Sequence, residues 1–318
     1  MRLFLTGATG FAGSHLTLLL LRAGHTVHAL VHPASGHQPL PLDANFRPHE
    51  ADLLAADAVR ELIASAEPEV VFHLAGQASP SASWTDPAHT FEVNTVGTAN
   101  VLQACLAAGR PRVVVVTSSQ LYGDVSGQAL PITEATTPRP KDPYGLSKLA
   151  AGQLCRLYWE RYQLPAIEAR PFNHIGPRQA PGFVVADFAH QLAAIKLGQR
   201  PAQMRVGNLS PRRDFCDVRD VASAYWLLAE RGAPGEAYVI CSGRPVAISE
   251  LLELLIAAAG LEVEVDVTLA QELNRPASAP CLYGSYAKLE RDTGWRPEIP
   301  LERSLEDALT DWLGRLAP

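Results

Sequence analysis

Tyr144 and Lys148 stand four residues apart in Tyr144-Gly145-Leu146-Ser147-Lys148, at the start of a segment with helical character. On a helix, side chains at i and i+4 share one face. A phenol with a pKa near ~10 exchanges protons poorly at neutral pH until a neighbouring ammonium stabilises its phenolate. Lys148 is placed to do that and to hold a ribose beside it. Upstream, Thr117-Ser118-Ser119 directly follows four consecutive valines, Val113–Val116. A hydroxyl there projects at the C-terminal edge of a sheet, the usual ligand crevice of an open α/β fold. Ser118, Tyr144 and Lys148 thus form a set able to move a proton on and off a substrate oxygen.

A second motif supplies what such a set would work with. Thr6-Gly7-Ala8-Thr9-Gly10-Phe11-Ala12-Gly13 falls between the first strand-like run and the first helical pattern. In such a loop one glycine makes a tight turn, one lets the backbone approach a pyrophosphate, and one lets helix pack on strand. The N–H groups at the following helix N-terminus favour the anion. Gly7, Thr9, Gly10, Phe11, Ala12 and Gly13 are therefore expected to hold a nicotinamide dinucleotide. The second strand ends Leu30-Val31-His32-Pro33, without the carboxylate that usually binds the ribose hydroxyls of NAD. That absence favours NADP, with His32 as a donor to a 2′-phosphate, and leaves NAD as the alternative. Asp52-Leu53, after the third strand, is placed to meet the adenine ring. The alternative for Asp52 is an ordinary helix cap. His25, His28 and His32 are read as strand-end residues and not as metal ligands, because no carboxylate or fourth ligand joins them.

These residues need a scaffold, and the first half provides one. Strand-like runs at Arg2–Thr6, Thr26–Val31, Val70–Leu74, Val113–Val116 and Ala166–Arg170 alternate with helical patterns at Ser14–Ala23, Ala55–Ala66, Phe91–Ala108 and Tyr144–Tyr162. Near-continuous apolar strands alternating with helices predict an α/β fold, a Rossmann-type doubly wound parallel sheet. After Pro171 the pattern loosens: helices at Asp187–Leu197, Asp220–Ala229 and Ser249–Ala259, a strand at Glu236–Cys241, and a half-exposed strand at Glu262–Val267. We read residues 1–170 as the dinucleotide-binding domain, with 214–242 returning to it. Residues 171–213 and 243–318 form a smaller substrate-binding region.

Composition narrows the partners. A formal charge of −6 over 318 residues, without clustered Lys and Arg, gives no sign of nucleic acid or membrane as partner. The early apolar stretch is interrupted by Gly7, Gly10 and Gly13 and lacks a cleavage site, so no signal peptide is expected. Five scattered cysteines without a C-x-x-C pair read as reduced residues of a cytoplasmic protein.

Over nearly its whole length the chain resembles the extended short-chain dehydrogenases/reductases, the group of nucleotide-sugar epimerases, dehydratases and reductases. The likeness rests on the glycine loop, His73-Leu74-Ala75-Gly76, Asn94 within Val93-Asn94-Thr95-Val96-Gly97-Thr98, Ser118 four residues before Tyr122-Gly123, and Tyr144/Lys148. Arg170-Pro171-Phe172-Asn173-His174-Ile175-Gly176-Pro177-Arg178-Gln179, Gly207-Asn208-Leu209 and Arg213-Asp214-Phe215-Cys216-Asp217-Val218-Arg219-Asp220 look most like the GDP-mannose branch of that group. The resemblance implies further cofactor contacts from Leu74, Ala75, Gly76, Asn94, Thr117 and Pro171. It implies a nucleotide-diphosphate sugar as substrate, met by Ser118, Asn173, Val184, Arg213 and Arg275. Asn173 and Arg213 would hold the diphosphate, and Arg275 the far end of the nucleotide. A surface ion pair with a neighbouring aspartate is the alternative for Arg213.

Two departures matter. Dehydratases of the group carry a Glu base where this chain has Gln120, and an amide cannot take a proton from carbon at neutral pH. GDP-sugar enzymes carry an acidic residue where this chain has Ser278, which leaves the base open. The expected activity is reduction of the C4 keto group of a 4-keto-6-deoxy sugar. The alternatives are a C4 epimerase with tightly held NAD and a non-catalytic dinucleotide sensor. Related enzymes pair through the helices read at Phe91–Ala108 and Tyr144–Tyr162, and Val101, Leu102, Leu106, Leu154, Leu157 and Tyr158 exceed what one sheet-facing stripe needs. A homodimer through a four-helix bundle is expected, unless these residues all face the sheet.

Overall fold

The apolar runs of the first half become strands β1 (Arg2–Thr6), β2 (Thr26–Val31), β3 (Phe46–Glu50), β4 (Val70–His73), β5 (Arg112–Val116) and β6 (Ala166–Pro171). The chain then makes β7 (Asn173–Ile175), β8 (Gln203–Val206) and β9 (Arg212–Asp217), followed by β10 (Ala237–Ile240), β11 (Pro245–Ala247), β12 (Glu264–Val267) and β13 (Cys281–Leu282). This computed structural model describes residues 1–33, 43–267 and 280–317. Seven strands form one parallel sheet in the order β10-β6-β5-β4-β1-β2-β3. Strands β4 and β6 are buried along their whole length; β4 reads as an apolar run, whereas β6 buries Glu168 and Arg170 among its apolar residues. Strand order reverses between β1 and β4, so a crevice opens at their C-terminal ends.

The helices are α1 (Phe11–Arg22), α2 (Ala56–Ala66), α3 (Pro80–Thr85), α4 (Pro87–Phe91), α5 (Gly97–Ala107), α6 (Pro143–Tyr162), α7 (Val184–Lys196), α8 (Val218–Arg231), α9 (Ile248–Ala259), α10 (Ala287–Thr293) and α11 (Leu301–Leu316). One apolar cluster joins one face of the sheet to α1 and α8 through Leu16, Leu20, Val221 and Tyr225. Another joins the opposite face to α2, α5 and α6 through Ile63, Leu102, Cys155 and Tyr158. A separate core links α7, α9 and α11 through Phe188, Leu192, Leu251, Leu255 and Leu309. It lies beside a small sheet in which β9 pairs with β7, β11 and β13.

Three details correct the sequence expectations. Phe91–Ala108 is not one regular α-helix: a π-turn at Glu92–Val96 separates α4 from α5. Strand β12 is exposed along its whole length instead of alternating, because it pairs only with β8 in a two-stranded sheet. Val101 and Leu102 are completely buried in the sheet-facing core, whereas Leu157 is 54% exposed. Among the described residues, no helix is long and apolar enough to cross a membrane.

Candidate active site

The glycine turn is shaped by contacts that only glycine permits. Gly7 has φ +76°, and a Cβ there would lie 2.6 Å from Ala75 N. A Cβ at Gly13 would collide with the Gly7 carbonyl, so α1 docks directly on the turn. Gly10 N donates to Gly7 O at 3.0 Å and Gly10 caps α1 with its own face exposed. The first-turn N–H groups of Phe11, Ala12 and Gly13 are those an α-helix leaves unmatched, and they follow the turn directly after half-buried Thr9. An open backbone cradle without an intervening side chain fits a pyrophosphate. Phe11 stacks on His174 at 5.5 Å and 13°, tying this end of α1 to β7.

Asp142 starts α6 by accepting from Gly145 N at 2.7 Å, with Pro143 in the first turn. That start places Tyr144 and Lys148 at the C-terminal edge of the sheet, where β5 delivers Ser118. Ser118 Oγ accepts from Gln120 N at 3.1 Å and caps the short 3₁₀ turn Ser119–Tyr122. Burial pushes the Tyr144 phenol up to about 12, and the nearby Ser118 side chain opposes that rise. Lys148 is buried and donates to Val116 O at 3.1 Å, and burial lowers its ammonium to about 8. The spacing predicts that Lys148 lowers the phenol's pKa, whereas the largest influence on each group in the structure is desolvation.

Asn94 joins these two elements. Its Nδ2 donates to Gln77 O at 3.1 Å and to Ser147 Oγ at 3.0 Å, and its Oδ1 accepts from Gln77 N at 2.9 Å. The π-turn is what aims Asn94 inward. A Cβ at Gly76 would lie 2.7 Å from Asn94 Oδ1 and 3.0 Å from Lys148 Nζ, so Leu74-Ala75-Gly76 passes against α6. Below it, Ala75 N donates to Thr6 Oγ1, which lies 2.7 Å from His73 Nδ1. Thr98 Oγ1 spends its proton on Asn94 O, so His73 Nε2 donates to Thr98 Oγ1 at 3.0 Å. Nδ1 is then the acceptor, and His73 is held as one neutral tautomer, with burial lowering its pKa to about 3.

On the substrate side, Pro171 ends β6 and Asn173 opens β7, where Asn173 Nδ2 donates to Asp214 O at 3.1 Å. Arg213 precedes Asp214 on β9, so Asn173 and Arg213 come together on neighbouring strands. Asp214 accepts from Ser242 N, Ser242 Oγ and Gly243 N at 2.7, 2.7 and 2.9 Å, which fixes β9 against the turn after β10. Val184 begins α7. Arg275 and Ser278 lie outside the described residues. His32 is exposed at the end of β2.

Asp52 does not cap α2, whose N-cap is Ala55; it accepts from Leu54 N at 2.9 Å in a local turn. Leu53 is buried against Gly97, and its carbonyl accepts from Asn100 Nδ2 at 3.0 Å. Phe11–His174 and the Thr6–His73–Thr98 chain had no sequence signal beyond the motifs containing them. Among the described residues, no group of three or more His, Cys, Asp or Glu can hold a metal ion.

A family model described as GDP-mannose 4,6 dehydratase matches residues 4–308. The chain is 41% identical over 316 residues to the GDP-6-deoxy-D-mannose reductase of Pseudomonas aeruginosa, covering 99% of this chain and 98% of that one. It superposes on the structure of RMD from Pseudomonas aeruginosa complexed with NADPH with a TM-score of 0.86 and 39% identity, over 99% of both chains. It also superposes on the Thermus thermophilus UDP-glucose 4-epimerase in complex with NAD, with a TM-score of 0.85 and 29% identity, over 100% of both chains. The chain therefore belongs to the GDP-mannose 4,6 dehydratase family, enzymes of the extended short-chain dehydrogenase/reductase type that act on nucleotide-sugars.

Proposed function

We propose that the protein is an NADPH-dependent reductase of the C4 keto group of a GDP-4-keto-6-deoxyhexose, with a GDP-6-deoxyhexose such as GDP-rhamnose as product. One observation carries the reading: Ser118, beside Tyr144, accepts a hydrogen bond from the backbone of Gln120, an amide residue where a dehydratase needs a carboxylate. The relative at 41% identity is a GDP-6-deoxy-D-mannose reductase, and the superposable RMD structure holds NADPH.

The cofactor, when bound, supplies the hydride. Gly7, Thr9, Gly10, Phe11, Ala12 and Gly13 would hold its pyrophosphate, His32, Asp52 and Leu53 its adenosine end. Leu74, Ala75, Gly76, Asn94, Thr117, Lys148 and Pro171 would line its nicotinamide half. Tyr144 gives its proton to the C4 oxygen as negative charge builds there, and Ser118 donates to the same oxygen. Lys148, one turn further along α6, offsets the charge left on the phenolate. Asn173 and Arg213 hold the substrate diphosphate, with Val184 beside them. In this division of labour residues 1–170 and 214–242 serve the cofactor, and 171–213 and 243–318 the sugar nucleotide.

The enzyme acts in the cytoplasm as a homodimer, on this reading. Leu146 and Leu157 are 47% and 54% exposed and lie three turns apart on one face of α6, and Val96 beside α5 is 49% exposed. Incubation with NADPH and a GDP-4-keto-6-deoxy sugar tests the function: the product should gain two hydrogens by mass as reduced cofactor is consumed. No reduction, together with C4 inversion of a parent sugar by protein that purifies with NAD, would assign an epimerase instead.

A further inference from the structure

Beneath the site lies a buried ion pair with no part in the chemistry described so far. Glu168 and Arg170 sit two apart on β6, so their side chains leave the same face of the strand. Both are almost fully buried, and Arg170 Nη2 donates to Glu168 Oε2 at 2.8 Å. Replacing such a pair by apolar residues of similar size is often neutral or stabilising, so the pair is weak support for folding. Arg170 Nε adds to its cost, being buried without a hydrogen-bond partner among the described residues.

What the pair touches gives it a purpose. Glu168 Oε1 accepts from Thr117 Oγ1 at 2.8 Å, and Thr117 is the residue before Ser118. Arg170 Nη1 donates to the Tyr122 hydroxyl at 3.0 Å, and Tyr122 closes the 3₁₀ turn that Ser118 caps. The segment carrying Ser118 is therefore gripped at both ends by one ion pair. The carboxylate also lies against α6 at Gly152, where a Cβ would overlap Glu168 Oε1. Gly152 is one turn beyond Lys148 on the helix that carries Tyr144. One carboxylate thus meets the supports of Ser118, Tyr144 and Lys148 together.

We propose that Glu168 and Arg170 are positioning residues that hold Ser118 in register with Tyr144. The proposal rests on the reductase reading for its kinetic consequence, but its geometric consequence stands apart from it. The deciding variant is the double substitution Glu168→Leu with Arg170→Met, which removes both charges at similar volume. Its melting temperature and its dissociation constant for NADPH should stay within a few degrees and a few-fold of wild type. Turnover should fall ~10²-fold, the scale of a misplaced catalytic group. Adding Ser118→Ala to the double variant should cost little more, because the pair acts through that hydroxyl. In crystal structures, the distance from Ser118 Oγ to Tyr144 Oη should be longer in the double variant than in wild type. Wild-type turnover with that distance unchanged would overturn the proposal, as would full additivity with Ser118→Ala. A wild-type protein without reductase activity would instead remove the functional reading, and the crystallographic distance would still decide the positioning role.

Discussion

The Lys148 ammonium is bonded to the carbonyl of Val116, 3.1 Å away, so the helix bearing Tyr144 is tied to the last residue of the strand that leads to Ser118. Burial lowers Lys148 to about 8, which puts loss of its charge within the working range of an enzyme. Turnover should decline as pH rises through about 8, since the neutral amine no longer offsets the Tyr144 phenolate. The stability effect has the opposite sign. Between that value and the ordinary lysine pKa near ~10.4 the unfolded chain binds the extra proton, so this group adds stability as pH rises. Lys148→Met should remove the alkaline decline in turnover at a much reduced rate. A wild-type rate flat from pH 7 to about 10 would show that Lys148 keeps its charge.

Tyr144→Phe should leave NADPH affinity within a few-fold of wild type and lower turnover by ~10²-fold or more, as for loss of a positioned acid. The phenol is buried beside Ser118, so the phenyl ring fills the same space and only the hydroxyl is lost. Near-normal turnover in that variant would take Tyr144 out of the mechanism.

The proposed dimer makes its own demand. Leu157→Glu with Leu146→Glu should turn a dimer into a monomer at micromolar concentration, because both side chains are about half exposed on one face of α6. Mass in solution by light scattering checks this. A wild-type monomer under the same conditions would remove the bundle.

Much of this fold is legible because its strands are buried on both sides. Val70–Phe72 and Val113–Val115 are apolar on both faces, so no polar face confuses the pattern, and a glycine-ended helix such as α9 announces its stop. The small sheet around β9 is harder to read because Asp214 and Asp217 are buried there with Arg212 and Arg213 beside them, so no apolar run marks the strand. Asp217 is paid for by paired bonds from Arg219 and one from Ser304, partners distant or unpredictable in sequence. Within the site, the Tyr-x-x-x-Lys spacing and the serine that ends the four-valine strand single out Ser118, Tyr144 and Lys148, which the fold brings to one edge of the sheet. Glu168 and Arg170 do not, although their two-residue spacing in a buried strand requires them to share a face. Leu305, Ala308, Leu309 and Trp312 bury one stripe of α11, a helix not among those read from the sequence although its spacing is amphipathic.

His73 gives a prediction about acid stability. Its neutral tautomer is locked between Thr6 and Thr98, and its folded pKa is lowered to about 3. Below the ordinary histidine value near ~6.5 the unfolded chain takes up a proton that the folded chain refuses. Stability should therefore fall with acidification between about pH 6.5 and 3, by up to about 1.4 kcal/mol per pH unit from this residue. His73→Gln keeps a donor and an acceptor but cannot titrate, and should flatten that limb in denaturant titrations. An unchanged acid limb would assign the loss to other groups.

The reaction class turns on carboxylates. A 4,6-dehydratase must remove the proton at C5, which needs a base whose pKa can be tuned toward neutrality. Gln120 offers none, and the two acidic residues nearest in sequence are committed elsewhere. Asp124 is half-buried and accepts from Ser126 N and Oγ at 2.9 and 2.6 Å, with Lys141 at 3.5 Å. Glu134 Oε1 accepts from Val239 N at 2.8 Å and so braces β10. Hydride transfer at C4 needs only the Ser118–Tyr144 pair. The protein should therefore leave GDP-mannose unchanged and reduce its 4-keto-6-deoxy derivative. Incubation with GDP-mannose and oxidised cofactor, followed by alkaline absorbance and mass analysis, checks the first half directly. Accumulation of a 4-keto-6-deoxy sugar nucleotide would mean that a carboxylate reaches C5 after all, and the reductase assignment would fall with it.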